Sequence, residues 1–318
     1  MSRHRVLQAG RLMPELEAAL AEQFDCHPLW NEKDPRRFLA EQGAGFQALV
    51  TTSRNGADGA LMDAMPHLKA IAHFGVGYDT VDAGAAAKRG IALSNTPDVL
   101  NDCVADVAMG LLIDVARGLS ASDRFVRRGD WLKGQFPLAT RVSGKKLGIA
   151  GLGRIGQAIA KRAQGFDMDI RYHSRKPVAG AAFTREPSLV SLAQWCDFLV
   201  VIVSGGPATR HLVSAEVIQA LGPLGYLVNV SRGSVVDEAA LVNALVNRRI
   251  AGAGLDVFED EPRVPEALLA LDNVVLLPHL ASGTRETRKA MADLVLANLH
   301  SWFAHGRLVT PVPATPPA

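Results

Sequence analysis

The fold of this chain is decided by the stretch Lys145-Lys146-Leu147-Gly148-Ile149-Ala150-Gly151-Leu152-Gly153-Arg154-Ile155-Gly156-Gln157-Ala158-Ile159-Ala160. It starts as a short apolar run, which predicts a buried strand, and continues with apolar residues at helical spacing. Between the two lies G-x-G-x-x-G, in which Gly151 permits a sharp turn, Gly153 lets a pyrophosphate approach the backbone, and Gly156 lets helix and strand pack closely. The stretch therefore predicts a dinucleotide site at the start of a helix; the alternative is a glycine-rich packing turn. The predicted contacts are Gly151, Gly153, Arg154, Ile155 and Gly156.

The end of the next strand indicates which dinucleotide is bound. That strand is predicted at 169–173, and Ser174-Arg175-Lys176 follows it. An NAD site places an Asp or Glu about twenty residues past the fingerprint to bind the ribose 2′-OH, and no carboxylate stands there. A hydroxyl and two cations suit a 2′-phosphate instead, with Arg175 binding it through its planar fork. NADP (NADPH) is thus the preferred cofactor and NAD the second option; the alternative for the turn is a solvated basic loop.

The composition is typical of a soluble α/β protein. The 318 residues are 48% hydrophobic and 6% aromatic, and the net charge is +2. This charge argues against nucleic acid and anionic membranes as partners, and no apolar run is long enough to span a bilayer. The N-terminal residues lack the apolar region of a signal peptide. Three distant cysteines, Cys26, Cys103 and Cys196, have no metal-ligand spacing, so we expect no metal site and a cytoplasmic protein with reduced thiols.

Strand and helix patterns alternate along both halves of the chain. Before the fingerprint, strands are predicted at 5–10, 46–51, 68–73 and 91–94. After it, strands are predicted at 169–173, 198–203, 226–230, 252–257 and 274–277. One long helix from Asp98 to Arg128 connects the halves, and an irregular arm around Trp131 follows it. The last helix, 284–305, has an apolar stripe and is expected to return to the first domain.

These patterns predict an α/β protein with two doubly wound parallel-sheet domains. The first is a flavodoxin-like substrate (catalytic) domain at 1–99, completed by the C-terminal helix and tail at 285–318. The second is a Rossmann dinucleotide-binding domain at 100–284, which holds NADP.

Polar residues that follow the strands are candidates for the active site, because ligands of open α/β sheets bind beyond the carboxyl ends of the strands. Gly75-Val76-Gly77 could offer N–H groups to a carboxylate. Arg232, a carboxylate in the segment 259–261, and His279 each follow a strand of the second half. Such an Arg could bind a substrate carboxylate and polarise a carbonyl, while the His delivers a proton and the acid pairs with the imidazolium. Each residue alone has a structural alternative: His279 in packing, Arg232 as a surface cation near Asp237 or Glu238, and Asp256 as a turn cap.

With these motifs in view, the chain resembles the D-isomer-specific 2-hydroxyacid dehydrogenases, and within them the NADPH-linked glyoxylate/hydroxypyruvate reductases. The resemblance covers nearly the whole chain. It rests on His73-Phe74-Gly75-Val76-Gly77-Tyr78-Asp79, Asn95-Thr96-Pro97-Asp98-Val99-Leu100, Gly151 to Gly156, Asn229-Val230-Ser231-Arg232-Gly233, Leu255-Asp256-Val257-Phe258 and Pro278-His279.

The resemblance implies roles for individual residues. Arg232 would bind the substrate carboxylate and keto oxygen, and His279 would be the general acid/base. Glu261 is chosen over Glu259 as the partner of the histidine, because the acid of the family directly precedes a proline. Further roles are implied for Val76 and Gly77 (substrate, through backbone N–H groups), Val230 and Asp256 (cofactor), and Trp131 (closing the substrate pocket of the partner in a homodimer).

The predicted function is the NADPH-dependent reduction of small 2-oxo acids, glyoxylate and hydroxypyruvate, to 2-hydroxy acids. Within the same class, aryl-pyruvates are the alternative substrates. Outside it, the same fold serves in dinucleotide-binding corepressors that recruit partner proteins. Those corepressors retain Arg232, Glu261 and His279, so the three residues do not separate the two functions; a missing partner-binding extension and the basic turn at Ser174 favour the reductase.

Overall fold

The computed structural model describes residues 3–313. Short strands alternate with helices throughout this part of the chain, as in an α/β protein. The strands, in chain order, are β1 (Arg5–Gln8), β2 (Asp25–Pro28), β3 (Ala48–Thr52), β4 (Ala70–Phe74), β5 (Ala92–Ser94), β6 (Lys146–Ala150), β7 (Asp169–His173), β8 (Thr184–Arg185), β9 (Phe198–Val201), β10 (Tyr226–Asn229), β11 (Gly252–Leu255) and β12 (Val274–Leu276).

The helices begin mostly at Asp, Ser or Thr caps or at prolines, as helix starts do. In chain order they are α1 (Pro14–Gln23), α2 (Pro35–Gln42), α3 (Gly59–Asp63), α4 (Ala83–Lys88), α5 (Asn101–Arg117), α6 (Leu119–Arg127), α7 (Arg154–Gln164), α8 (Leu189–Trp195), α9 (Ala215–Leu221), α10 (Glu238–Val246), α11 (Glu266–Leu269) and α12 (Arg285–His305). No helix between residues 3 and 313 combines the length and the apolar character needed to cross a membrane.

The chain divides into two compact units. The first comprises the residues up to Leu100 together with those from Thr284 onward, and the second comprises Asn101–Gly283. Each unit has its own apolar core between its sheet and its helices, around Phe46 and Ile71 in the first and around Leu199 and Leu227 in the second.

The sheet of the first unit has the strand order β2-β1-β3-β4-β5 in the described chain, and all its strand pairs are parallel. This is the flavodoxin-like order of a doubly wound sheet. The central strands β3 and β4 are buried along almost their whole length, because helices cover both faces of such a sheet.

The sheet of the second unit has the order β12-β11-β10-β9-β6-β7-β8 among the described residues, and it too is entirely parallel. From β6 the chain runs outward through β7 and β8, then returns to β9 on the other side of β6. The order therefore reverses between β6 and β9, which is the Rossmann topology, and the glycine fingerprint directly follows β6 at this switch point. The predicted fold class, two doubly wound parallel sheets, is confirmed.

Two strands, β2 and β8, have no recognisable strand pattern in the sequence; each forms one edge of its sheet. β2 consists of Asp25-Cys26-His27-Pro28, whose polar residues and proline suit only an edge strand. β8 is two residues long, too short to produce any periodicity.

The predicted single helix from Asp98 to Arg128 is wrong. The structure has two helices, α5 and α6, separated by Gly118, whose φ of 63° lies in the left-handed region. Glycine adopts this conformation without the steric cost that a Cβ brings. Asp114 stabilises the break, since its carboxylate accepts hydrogen bonds from Ser120 N (2.8 Å) and Ser120 Oγ (2.5 Å).

A buried asparagine joins α12 to the following segment of the first unit. Asn298 is 1% exposed; its Oδ1 accepts from Val309 N (2.9 Å) and Thr310 N (3.0 Å), and its Nδ2 donates to Leu294 O and Thr310 Oγ1. Thr310 Oγ1 in turn donates to Asn95 O (2.6 Å). The hydrogen-bonding capacity of this side chain is therefore used fully, as expected for a buried amide. Residues 314–318 of the predicted tail lie outside the described residues.

Candidate active site

Two glycines of the fingerprint are required by backbone packing in the second unit. Gly151 has a φ of 101°, and a Cβ on it would lie 2.5 Å from the carbonyl oxygen of Ile202, just after β9. A Cβ on Gly156 would overlap the carbonyl oxygen of Gly151 itself. The turn after β6 and the first turn of α7 can approach this closely only because both side chains are absent.

Gly153, the middle glycine, differs from the other two because no residue between positions 3 and 313 crowds it. A Cβ there would have no heavy atom within 4 Å, and the residue is exposed at the N-cap of α7 without any side-chain cap. Arg154, also exposed, and the half-buried Ile155 form the first turn. The start of α7 is therefore an open cradle with the positive end of a helix dipole, which fits the pyrophosphate of a dinucleotide.

The basic turn lies directly after β7, beside the fingerprint strand. Ser174 is half-buried, and its Oγ donates a hydrogen bond to Lys176 O at 2.6 Å, which closes the turn; Arg175 and Lys176 are exposed. On the neighbouring edge strand β8, Arg185 donates from Nε (3.1 Å) and Nη2 (2.8 Å) to Ser174 O. The turn thus has three cationic side chains on or against it, an arrangement suited to a 2′-phosphate.

His279 and Glu261 form a short hydrogen-bonded pair. His279 follows β12, and its Nδ1 lies 2.7 Å from Oε2 of Glu261, whose Oε1 accepts from Phe258 N at 3.1 Å. Burial alone raises the pKa of Glu261, but the hydrogen bond and charge of His279, the Phe258 N–H and the charge of Arg232 together hold it below its ordinary value. The ionised carboxylate can only accept, so Nδ1 of His279 carries the proton of this bond and Nε2 is left for proton exchange.

This pair predicts a pH dependence of stability. Because the folded-state pKa of Glu261 is depressed, the stabilisation by its ionised form is fully present above the ordinary value of 4.5 and is lost as the pH falls through the folded-state pKa. The free energy of unfolding of the wild type, measured by urea denaturation, should therefore fall more steeply on acidification than that of Glu261→Gln. The two curves should converge in acid; a constant gap at all pH values would contradict this.

Glu259, the other candidate acid, has different partners. Its Oε1 lies 2.7 Å from Arg210 Nη2 and 3.1 Å from His211 Nε2. The structure therefore places Glu261, and not Glu259, against His279. Both glutamates follow the same strand, so strand position alone did not indicate which of them pairs with His279. The prediction of Glu261 rested on the proline that directly follows it.

Arg232 projects from a loop that is ordered by its own motif. Asn229 is buried at the end of β10; its Oδ1 accepts from Ser231 N (3.0 Å) and Ser231 Oγ (2.7 Å), and its Nδ2 donates to Arg232 O. Val230 is also buried, and Arg232 Nη1 donates to Ser231 O. A Cβ on Gly233 would overlap the backbone of Phe258. This glycine lets the Arg232 loop pack directly against the backbone that leads to Glu261.

Asp256 supports the histidine loop through the backbone. It is 1% exposed, and its two carboxylate oxygens accept from Leu280 N (2.7 Å) and Ala281 N (3.0 Å), the two residues after His279. Burial raises its pKa, against the lowering effect of these hydrogen bonds and of His279. The carboxylate of Asp256 thus holds the segment that carries His279.

The remaining candidates lie elsewhere in the chain. Val76 and Gly77 form a half-buried loop after β4 in the first unit. Trp131 lies in a short 3₁₀ helix, Asp130–Leu132, of the second unit, and is 68% exposed.

Two polar residues that hold these loops, Ser53 and Arg185, were not among the residues predicted from the sequence. Ser53 follows β3 and donates from Oγ to Gly77 O at 3.1 Å, so the same strand-end rule applied to the first sheet would have found it. Arg185 could not be found by this rule, because the two-residue strand β8 that carries it is too short to recognise in the sequence.

Comparisons with known proteins identify the family of this chain. A family model described as D-isomer specific 2-hydroxyacid dehydrogenase, NAD binding domain, matches residues 109–281. The chain belongs to the D-isomer-specific 2-hydroxyacid dehydrogenases. Among the members of this family, the hydroxyphenylpyruvate reductase of Plectranthus scutellarioides is 50% identical, over 96% of this chain and 98% of that protein. The glyoxylate/hydroxypyruvate reductase A of Arabidopsis thaliana is 46% identical over the same shares of the two chains.

A solved structure of the dehydrogenase family is similar over the whole fold. It is an NADPH-dependent glyoxylate/hydroxypyruvate reductase from Sinorhizobium meliloti in complex with NADP and malonate. Its sequence is 47% identical to this chain, the TM-score is 0.92, and the match covers 99% of this chain and 98% of that one.

Proposed function

We propose that this dehydrogenase is an NADPH-dependent reductase of small 2-oxo acids, glyoxylate and hydroxypyruvate, which it converts to 2-hydroxy acids. The observation that carries the proposal is the 2.7 Å pair of His279 and Glu261, with the charge of Arg232 acting on the same carboxylate. An imidazole that is oriented by an ionised acid and lies near a cation can protonate a carbonyl oxygen as it becomes an alkoxide.

In this mechanism His279 acts as general acid during reduction. Glu261 accepts the hydrogen bond from Nδ1 and thereby orients the imidazole, so that Nε2 can deliver a proton to the substrate oxygen. Asp256 fixes the backbone after the histidine, so the ring keeps its orientation while the proton moves. In the reverse direction the same nitrogen accepts the proton.

Arg232 and the loop at Val76 and Gly77 bind the acid group. The guanidinium of Arg232 would bind the carboxylate and the keto oxygen, which also polarises the carbonyl. The backbone N–H groups of Val76 and Gly77, in the first unit, would offer neutral donors to a substrate carboxylate. We accordingly propose that the first unit binds the substrate and that the second unit, Asn101–Gly283, binds NADP.

The second unit has the groups that a dinucleotide needs. The open cradle at Gly153 and the start of α7, with Arg154 and Ile155, would hold the pyrophosphate; Val230 and Asp256 would lie toward the nicotinamide. When bound, NADPH supplies the hydride for C2 of the substrate. The cations at Ser174-Arg175-Lys176 favour NADPH over NADH, in agreement with the NADP complex of the Sinorhizobium meliloti relative.

The cofactor preference leads to a prediction for Arg175. Replacing it by alanine should raise the KM for NADPH by on the order of tenfold, because a charge-assisted contact to the 2′-phosphate is lost. The KM for NADH, which lacks that phosphate, should hardly change. Lys161→Ala, which removes another exposed cation of the same unit, is the control; an equal loss with both cofactors would contradict the role of Arg175.

A larger substrate is the second candidate. It is favoured by the 50% identity to a hydroxyphenylpyruvate reductase. The catalytic groups would serve an aryl-pyruvate in the same way, since only the side chain on C2 differs.

We further propose that the enzyme is a cytoplasmic homodimer. Three large apolar side chains of the segment around Trp131 are strongly exposed: Trp131 (68%), Leu132 (95%) and Leu138 (104%). An apolar segment of this kind is suited to a protein interface, and a second copy would cover it. The three cysteines form no disulfide in the described part of the chain, which suits a reducing compartment. Light scattering after gel filtration measures the mass directly; a monomer at micromolar concentration would contradict the dimer.

The test of the proposed reaction is NADPH oxidation with a panel of glyoxylate, hydroxypyruvate, pyruvate and phenylpyruvate, repeated with NADH. Turnover of the small acids with a preference for NADPH is the expected result. Faster turnover of phenylpyruvate than of glyoxylate would indicate that aryl-pyruvates are the substrates. Tight NADPH binding without turnover of any acid would contradict the enzyme and favour a corepressor-like binding protein.

A further inference from the structure

The loop Gly75–Gly77 is clamped at three consecutive carbonyl oxygens within the first unit. Gly75 O accepts from Thr96 N at 3.0 Å, and Val76 O accepts from Asn95 Nδ2 at 2.8 Å. Gly77 O accepts from Ser53 Oγ at 3.1 Å and lies 2.9 Å from His73 Nε2. The donors come from the ends of β3, β4 and β5, so the loop is held from both sides of its own strand.

The pair of Ser53 and His73 has a defined arrangement of hydrogens. His73 is fully buried, and since a carbonyl oxygen is only an acceptor, Nε2 of His73 must carry the hydrogen that it directs to Gly77 O. Ser53 Oγ lies 3.3 Å from the same Nε2 and donates its own hydrogen to Gly77 O. Two donors therefore meet on one carbonyl.

Clamped carbonyls also fix the directions of the N–H groups. In a planar trans peptide the N–H of each residue points opposite to the carbonyl of the residue before it. Holding Gly75 O and Val76 O sets the directions of the Val76 and Gly77 N–H groups, and holding Gly77 O fixes the far end of the loop. The glycine at position 75 lets His73 and Ser53 approach the loop this closely, because a Cβ there would lie 3.0 Å from His73 Nε2 and 3.2 Å from Ser53 Oγ.

We infer that Ser53 and His73 are positioning residues for substrate binding: they preorganise the loop whose N–H groups bind the carboxylate of the 2-oxo acid. This inference rests on the proposed function, in which Val76 and Gly77 are those donors. Neither side chain takes part in proton transfer; they fix the backbone on which the carboxylate is recognised. Preorganised donors bind without the cost of ordering the loop in each binding event.

The test compares two variants of His73. His73→Leu removes the donor, whereas His73→Gln keeps an N–H that can reach Gly77 O. With saturating NADPH, His73→Leu should raise the KM for glyoxylate and the Ki of oxamate, a non-reacting 2-oxo acid mimic, by the same factor of about ten to a hundred, as expected when a hydrogen bond to a charged group is misaligned. His73→Gln should stay within about threefold of the wild type, and the Kd for NADPH should not change in either variant.

Ser53→Ala provides a second variant at a half-buried position, where folding is less at risk than at His73. It should raise the same KM and Ki by a smaller factor, about threefold to tenfold, since it removes one of two neutral donors. Thr52→Val is the matched control: this hydroxyl lies on the same strand end but bonds within its own turn, 3.1 Å from Asn55 Oδ1. It should leave both constants unchanged.

The outcomes separate this inference from the proposed function. Unchanged KM and Ki in His73→Leu and Ser53→Ala, with an active wild type, would overturn the inference alone. A rise of the NADPH Kd by the same factor as the KM would also overturn it, because it would indicate a general structural defect. If the wild type binds oxamate but reduces no 2-oxo acid, the proposed reaction fails, and a weaker oxamate Kd in the two variants would still support the clamp.

Discussion

Replacing His279 by alanine is expected to lower kcat by on the order of a hundredfold or more, which is the usual contribution of a positioned general acid. The variant loses the proton donor for the substrate oxygen and leaves Glu261 without its partner at 2.7 Å. The Kd for NADPH, measured by fluorescence titration, should be preserved, because the fingerprint glycines and the basic turn are untouched. A solvent proton could then reach the oxygen only slowly.

His211→Ala is the matched control for this experiment. His211 also lies against a glutamate of the same unit, with its Nε2 3.1 Å from Glu259, but it has no contact with Glu261. Its replacement should leave kcat within about twofold of the wild type. A mildly affected kcat in His279→Ala, similar to that of the control, would return His279 to a structural role.

Replacing Arg232 by leucine is expected to lower kcat/KM for glyoxylate by on the order of a thousandfold. Two charge-assisted hydrogen bonds at about 2 kcal/mol each add up to roughly this factor. The loss of the contact to the substrate carboxylate should raise KM and account for most of the effect. The loss of carbonyl polarisation should lower kcat. Arg232→Lys should recover little of it, because a point charge does not reproduce the planar fork.

Arg210→Leu is the control for charge alone. Arg210 is an exposed arginine of the same unit that pairs with Glu259 at 2.7 Å. Its removal should change kcat/KM by no more than about twofold. If Arg210→Leu and Arg232→Leu lowered kcat/KM equally, the overall field of the protein, rather than a specific contact of Arg232, would be responsible.

Much of the fold could be predicted because its signals are local. The fingerprint from Gly151 to Gly156 joins strand periodicity to helix periodicity within a few residues, and the alternation of strands and helices implies parallel sheets. The fold class and the family are confirmed. The roles of Arg232, Glu261 and His279 stay predictions, although the structure brings Glu261 and His279 together.

The rest could not be predicted because it depends on contacts distant in sequence or on single residues. Gly118 interrupts an otherwise continuous helical pattern by its backbone conformation alone. The two-residue strand β8 exists only through pairing with β7, so Arg185 could not be placed against Ser174 in advance. Asp256 follows a strand like other candidates, and nothing local reveals that its carboxylate binds the backbone N–H groups of residues 280 and 281.

The contact of Asn298 with Thr310, and of Thr310 with Asn95, has a consequence for biosynthesis. The second unit is one continuous segment, 101–283, whereas the first is assembled from segments on either side of it. Domains generally fold as units during synthesis. The dinucleotide-binding unit can therefore fold on the ribosome before α12 and residues 307–312, which complete the first unit, have been synthesised. The emerging chain is therefore expected to acquire a fold that can bind NADPH before the substrate-binding half is complete.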